Sequence, residues 1–129
     1  MTIAGVTIED TKMTSFTLNG VTPDRVVNIS QNGEQRDSVL ISNSFNYTMQ
    51  LVSLDKTNFD DLFAALKTKS NDYEKISINR YGIMKAEIPD ISLVDNASLD
   101  FDFDMSQVTF ENKGGYWNVT LPLQYVEYY

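Results

Sequence analysis

The sequence predicts a mainly β fold: an antiparallel β-sandwich or partly closed barrel with one short α-helix at about residues 58–69. Three observations predict it. Apolar and polar residues alternate in short runs along most of the chain, the period of two that a half-buried strand requires. Turn-forming residues punctuate those runs. One segment changes period: Phe59, Leu62, Phe63 and Leu66 stand at i, i+3, i+4 and i+7, one face of a helix.

The strands follow in order. Ile3 to Ile8 has strand composition, and Glu9-Asp10 reads as a solvated turn after it. Ser15 to Asn19 alternates, then meets the turn signals Asn19-Gly20 and Thr22-Pro23-Asp24. Val26 to Ser30 is β-branched and ends at Gln31-Asn32-Gly33-Glu34, where Asn-Gly between apolar runs signals a hairpin. The returning strand is Asp37 to Ser42, and Phe45 to Leu54 follows with Phe45, Tyr47, Met49 and Leu51 on one face.

The helix carries matching end signals. Asn58 suits the N-cap, Asp60 and Asp61 suit the positive end of the dipole, and Lys67 and Lys69 suit the negative end. About three turns of helix are not stable alone, so this face must cover a sheet or plug the end of a sandwich.

Period two then returns. Tyr73 to Tyr81, Ile83 to Ile88 and Ile91 to Val94 read as strands, broken at Gly82, at Pro89-Asp90 and at Asp95-Asn96. Leu99, Phe101, Phe103 and Met105 alternate with Asp100, Asp102 and Asp104. Asn112-Lys113-Gly114-Gly115 turns the chain into a last strand with Trp117, Val119, Leu121, Leu123 and Tyr125 on one face. Pro122, on the opposite face, lacks an N–H and so belongs at an edge or near a bulge.

Composition narrows the function classes. A chain of 129 residues is expected to form a single domain, residues 1–129. It contains no cysteine and no histidine. That removes disulfides, thiolate chemistry, serine–histidine catalysis and ordinary zinc sites. The formal charge is −8, divided unevenly: −2 over residues 1–58 and −6 over residues 59–129. Such a chain is repelled by phosphate backbones and anionic lipid, so neither nucleic acid nor membrane is an expected partner. No apolar run is long enough to span a bilayer, and no signal peptide is visible.

One constellation imitates a metal site. Asp100, Asp102, Asp104 and Glu111 occupy positions 1, 3, 5 and 12 of a calcium loop. Position 6, which needs glycine for the sharp turn, is Met105, and phenylalanines fill the gaps. A strand with phenylalanines inward and aspartates outward accounts for the same residues, so no metal and no cofactor is expected. The pair Asp60-Asp61 does not face itself across a helix, and no catalytic residue is indicated. Tyr128 and Tyr129 are harder to place in a core, and exposed tyrosines are typical of interfaces.

Several segments together resemble small tail and baseplate proteins of long-tailed bacteriophages, relatives of the tail-tube β-sandwich with one flanking helix. Ile3-Ala4-Gly5-Val6-Thr7-Ile8 resembles their opening strand. Asn32-Gly33-Glu34-Gln35-Arg36-Asp37 resembles a recurring early hairpin, and a lone mid-chain helix matches their element order. Gly115-Tyr116-Trp117-Asn118-Val119-Thr120-Leu121-Pro122-Leu123-Gln124 resembles their final strand. The resemblance covers most of the chain, leaving Lys85 to Asp104 without a family motif.

The resemblance implies a non-enzymatic virion structural protein, a ring or adaptor subunit of the tail or baseplate assembled in the host cytoplasm. Its partners would be further copies of itself and other tail proteins. The candidate contacts are the Asn32-Gly33 tip and the Tyr128-Tyr129 tail. A different class is an acidic mimic of nucleic acid, presenting Asp95, Asp100, Asp102 and Asp104 to a basic groove. A third, a carbohydrate-binding sandwich, needs an aromatic on the solvent face, and the alternation turns Trp117 inward instead.

Overall fold

The computed structural model describes residues 1–29, 35–80 and 98–128. Among these residues, two four-stranded antiparallel sheets pack face to face with one α-helix beside them, and the sheets do not close into a barrel. Of the two expected architectures, the sandwich is therefore the one observed.

The first sheet is built from short strands: β1 (Thr2–Ile3), β2 (Val6–Thr7), β5 (Ile76–Asn79) and β6 (Ser98–Phe101), in the order β2-β1-β5-β6. The second contains β3 (Met13–Ile29), β4 (Gln35–Leu54), β7 (Thr109–Lys113) and β8 (Tyr116–Tyr128), in the order β3-β4-β8-β7. The sheets meet at one corner, where Asp102 exchanges backbone hydrogen bonds with Gln124 of β8 at 2.8 Å each way.

Several expected segments differ in extent. Ile3 to Ile8 is two strands, not one, because Ala4 and Gly5 take φ of 51° and 81° and close a tight turn. Glu9-Asp10 leads into a 3₁₀ turn at Asp10–Lys12, in which Asp10 meets the Met1 ammonium at 2.8 Å. The four segments expected between Ser15 and Leu54 are two long strands. Asn19-Gly20 and Pro23 do not turn the chain: register shifts at Leu18/Gly20 and Asp24/Arg25 absorb them as bulges. Pro23 is tolerated because β3 is an edge strand, where a missing N–H removes no ladder bond.

Pro122 obeys the same rule in a less obvious place. Strand β8 is interior in the sheet order, but its pairing with β7 stops at Thr109–Thr120. The next bond on that side is Asp102–Gln124. The Gln124 N–H points at Asp102, so the Pro122 nitrogen two residues back faces the gap between these partners.

The helix α1 spans Lys56–Asn71, two residues longer at each end than the expected 58–69. Asp55, not Asn58, is the N-cap: its carboxylate accepts the Asn58 backbone N–H at 2.8 Å. Asp60 and Asp61 consequently lie in the second turn, and Asp60 pairs with Lys56 at 3.1 Å. Phe59, Leu62 and Leu66 are buried as expected, whereas Phe63 is 37% exposed and rests edge-on against Phe110. Phe59 stacks on Trp117 with ring centroids 4.0 Å apart, so the helix seals the sandwich beside the β7–β8 hairpin. That hairpin turns at Gly114 and Gly115, both at positive φ, and the Asn112 carboxamide accepts the Gly115 N–H.

The buried side chains form one cluster. Ile3, Ile76, Ile78, Leu99 and Phe101 come from the short sheet; Phe45, Tyr47, Met49, Leu51, Val119, Leu121 and Leu123 come from the long one. The alternating faces read from the sequence are thus the faces that meet. The expected strands at 83–88 and 91–94 lie outside the described residues.

Candidate functional site

Strands β3 and β4 remain paired from Met13–Leu51 out to Ile29–Gln35, but β8 accompanies β4 only as far as Ser42. Beyond that point the two strands continue as a ribbon with no third strand among the described residues. Arg25–Ile29 adds roughly 15 Å at the usual rise per residue. Residues 21–25 are all exposed, including Val21 at 46%, and Val39 on the return strand is 53% exposed. The expected contact residues Asn32 and Gly33 lie outside the described residues. Tyr128 pairs with Ser42 at the root of the ribbon and is 74% exposed. Tyr129 lies outside the described residues.

The three described aspartates do not share one environment. Strand β6 ends at Phe101, sooner than the alternation suggested, because the chain crosses to β8 at Asp102 and then enters a 3₁₀ turn at Met105–Gln107. Phe101 is fully buried and Phe103 partly so. Asp100 accepts a hydrogen bond from the Ser77 hydroxyl, and Asp102 faces Lys75 at 3.9 Å. Asp104 caps the 3₁₀ turn, accepting the Ser106 hydroxyl at 2.7 Å and its backbone N–H at 3.0 Å. These two bonds hold its carboxyl below the usual carboxylate range. Asp95 lies outside the described residues. Among the described residues, no cluster of three or more acidic side chains is arranged to hold a metal ion.

Two clefts lie on either side of the segment Asp102-Phe103-Asp104. The larger, about 360 Å³, is lined by the amides of Asn19, Asn46, Gln107 and Gln124 and by both aspartates. Tyr47, Phe103, Pro122 and Leu123 complete its walls. Its floor is a polar ladder across the outer face of the long sheet. Asn19 donates to the Thr48 hydroxyl, Asn46 to the Thr22 hydroxyl at 3.3 Å, and Gln124 to the Asn46 side-chain Oδ1 at 3.5 Å. The smaller cleft, about 270 Å³, is lined by Ser70, Tyr73, Glu74 and Met105 together with the shared segment.

The alternation places Tyr73 at the start of a strand, but β5 begins only at Ile76. Tyr73 instead ends the helix. The Tyr73 N–H donates to the Ser70 carbonyl and the Glu74 N–H to the Lys69 carbonyl, the pair of bonds of a Schellman motif. Tyr73 occupies its left-handed position, with φ 55°, where glycine is usual, and its side chain is 98% exposed. Beside it, Glu74 pairs with Lys69 at 2.8 Å, and that hydrogen bond raises the Lys69 ammonium above its ordinary value. The signal that could have found Tyr73 is its place two residues after Asn71 in a segment, Ser70-Asn71-Asp72-Tyr73, that leaves the helical period.

No protein-family model, no curated protein and no solved structure matches the chain.

Proposed function

We propose that the protein is a non-enzymatic structural subunit of a bacteriophage tail or baseplate, assembling with copies of itself and with other tail proteins. The observation that carries this reading is the β3–β4 ribbon. A two-stranded hairpin is marginal in water without a third strand or a covering layer. Here it runs past its last neighbour, β8, with Val39 exposed on the return strand, and Val21 is exposed on β3 just before the ribbon begins. A subunit that inserts such a ribbon against a neighbour gives it the missing layer. Exposed Tyr128 at its root extends the same surface.

The resemblance carried by residues 3–8, 32–37 and 115–124 supplies the tail and baseplate setting, and with it a virion location. The alternative, an acidic mimic of nucleic acid, has less support: among the described aspartates only Asp100 lies in β6, while Asp102 faces Lys75 and Asp104 caps the 3₁₀ turn, so the three do not line one strand face.

Sedimentation velocity of the full chain over a wide concentration range tests the reading. Reversible or stable multimers are expected, with the double variant Val21→Asp/Val39→Asp shifted to monomer while its circular dichroism is unchanged. A wild-type chain that stays monomeric at high concentration and binds no tail protein would overturn it.

A further inference from the structure

The paired clefts and Tyr73 have no role in the packing of the sandwich or in the ribbon. Tyr73 holds a left-handed conformation that disfavours side chains, and almost its entire ring faces solvent. Strain of this kind persists where the surroundings enforce it, and it concentrates at binding surfaces. The ring stands at the rim of a cleft whose far side continues into a second, amide-lined cleft.

We infer that this surface binds a neutral oligosaccharide, with one sugar ring in each cleft and the Phe103 segment between them. The polar groups suit that ligand. A sugar hydroxyl donates one hydrogen bond and accepts others, and a primary amide also does both. Four amides line the larger cleft, and the Gln107 side chain makes no hydrogen bond among the described residues. Carboxylates accept pairs of adjacent hydroxyls, and Asp102 and Asp104 are shared by the two clefts. The C–H face of a pyranose packs on an aromatic ring, which Tyr73 offers at the entrance.

Charge separates this ligand from a basic partner. A cationic peptide calls for unpaired carboxylates, whereas Glu74 is bound by Lys69 and Asp102 faces Lys75. The outer face that forms the cleft floor is neutral as well. On β4 its successive positions are Ser44, Asn46, Thr48 and Gln50, and opposite them on β8 stand Thr120, Pro122, Gln124 and Val126. The clefts are concave and of the size that small ligands occupy, unlike the flat surfaces typical of protein contacts.

The test uses the ¹⁵N-labelled full chain at a concentration low enough to leave assembly out of the readout. It is titrated with maltotriose, cellotriose and chitotriose to ~20 mM each, since weak sites bind in the millimolar range. At least one is expected to give saturable shifts in the side-chain amides of Asn46, Gln107 and Gln124 and in the Tyr73 backbone. Tyr73→Ala and Gln107→Ala change exposed side chains and preserve the fold, and each should weaken that binding by about five- to tenfold. The inference fails if none of the three sugars gives saturable shifts. It also fails if the shifts survive both variants unchanged, or if trilysine saturates these residues while the sugars do not.

Discussion

The same two strands behave differently at their two ends. Over Phe16–Leu18 and Tyr47–Leu51, β3 and β4 lie under the short sheet, and Tyr47, Met49 and Leu51 are almost completely buried. Phe16 stacks on Tyr47 there, 4.7 Å between centroids. From Val21 outward the ladder continues, but residues 21–25 of β3 and Val39 of β4 are exposed. Alternation therefore specifies which residues share a face, while burial depends on whether another layer covers that face. The covered end holds the molecule together, and the uncovered end is available for contact.

The largest effect should come from breaking the covered end. Phe101 is fully buried and meets Phe16, Tyr47 and Tyr125 edge to face. Phe101→Ala should cost about 3–5 kcal/mol, from lost apolar transfer and from the cavity left behind. At the other end, Val39→Ser should stay within about 0.5 kcal/mol, as exposed substitutions usually do. Urea denaturation of both variants measures the contrast. Equal losses would mean that the ribbon is buried in the folded chain.

Next in size is the helix cap. Asp55→Ala removes the acceptor of the Asn58 N–H and should cost about 1 kcal/mol, while Asn58→Ala should cost far less. Comparing the two melting temperatures sharpens the helix boundary. The sequence pattern pointed to Asn58, because it sits directly before the first periodic phenylalanine.

That displacement shows what was legible and what was not. The period-two faces, the Asn112–Gly115 hairpin and the buried triad of Phe59, Leu62 and Leu66 could be read because each depends on neighbours in sequence. The unbroken lengths of β3 and β4 could not. Asn19-Gly20 and Pro23 have the residues of a turn, and only an edge position lets bulges absorb them. The clefts were invisible for a related reason. They join Asn19, Asn46, Gln107 and Gln124 from four distant segments, and the crossing at Asp102 that brings them together is a single tertiary bridge.

A smaller change, of opposite sign, should come from Tyr73. Glycine suits the left-handed position that Tyr73 occupies, and the exposed ring gives up little packing. Tyr73→Gly should therefore stabilise the fold by about 0.5–1 kcal/mol, less the added chain entropy of glycine when unfolded. Thermal melts check this directly. A loss of stability would show that the ring contributes to the packed end, and would move Tyr73 to the other side of the comparison.

The smallest effect concerns pH. Asp104 is exposed, and its carboxyl is held below the usual range by the Ser106 hydroxyl and backbone N–H. A carboxyl whose folded pKa is depressed binds fewer protons when folded than when unfolded. Its contribution is present above the unfolded pKa, and it is lost as pH falls through the lower folded value. Acid should therefore loosen the 3₁₀ turn at Met105–Gln107 below the pH at which ordinary carboxylates titrate. Asp104→Asn keeps a capping oxygen but cannot titrate, so it should remove this part of the acid sensitivity while preserving the turn at neutral pH. Carboxyl titration followed by NMR, with the Ser106 amide as reporter, measures both. An Asp104 that titrates in the ordinary range, with a Ser106 amide that does not respond, would mean that the turn is held by its backbone bonds alone.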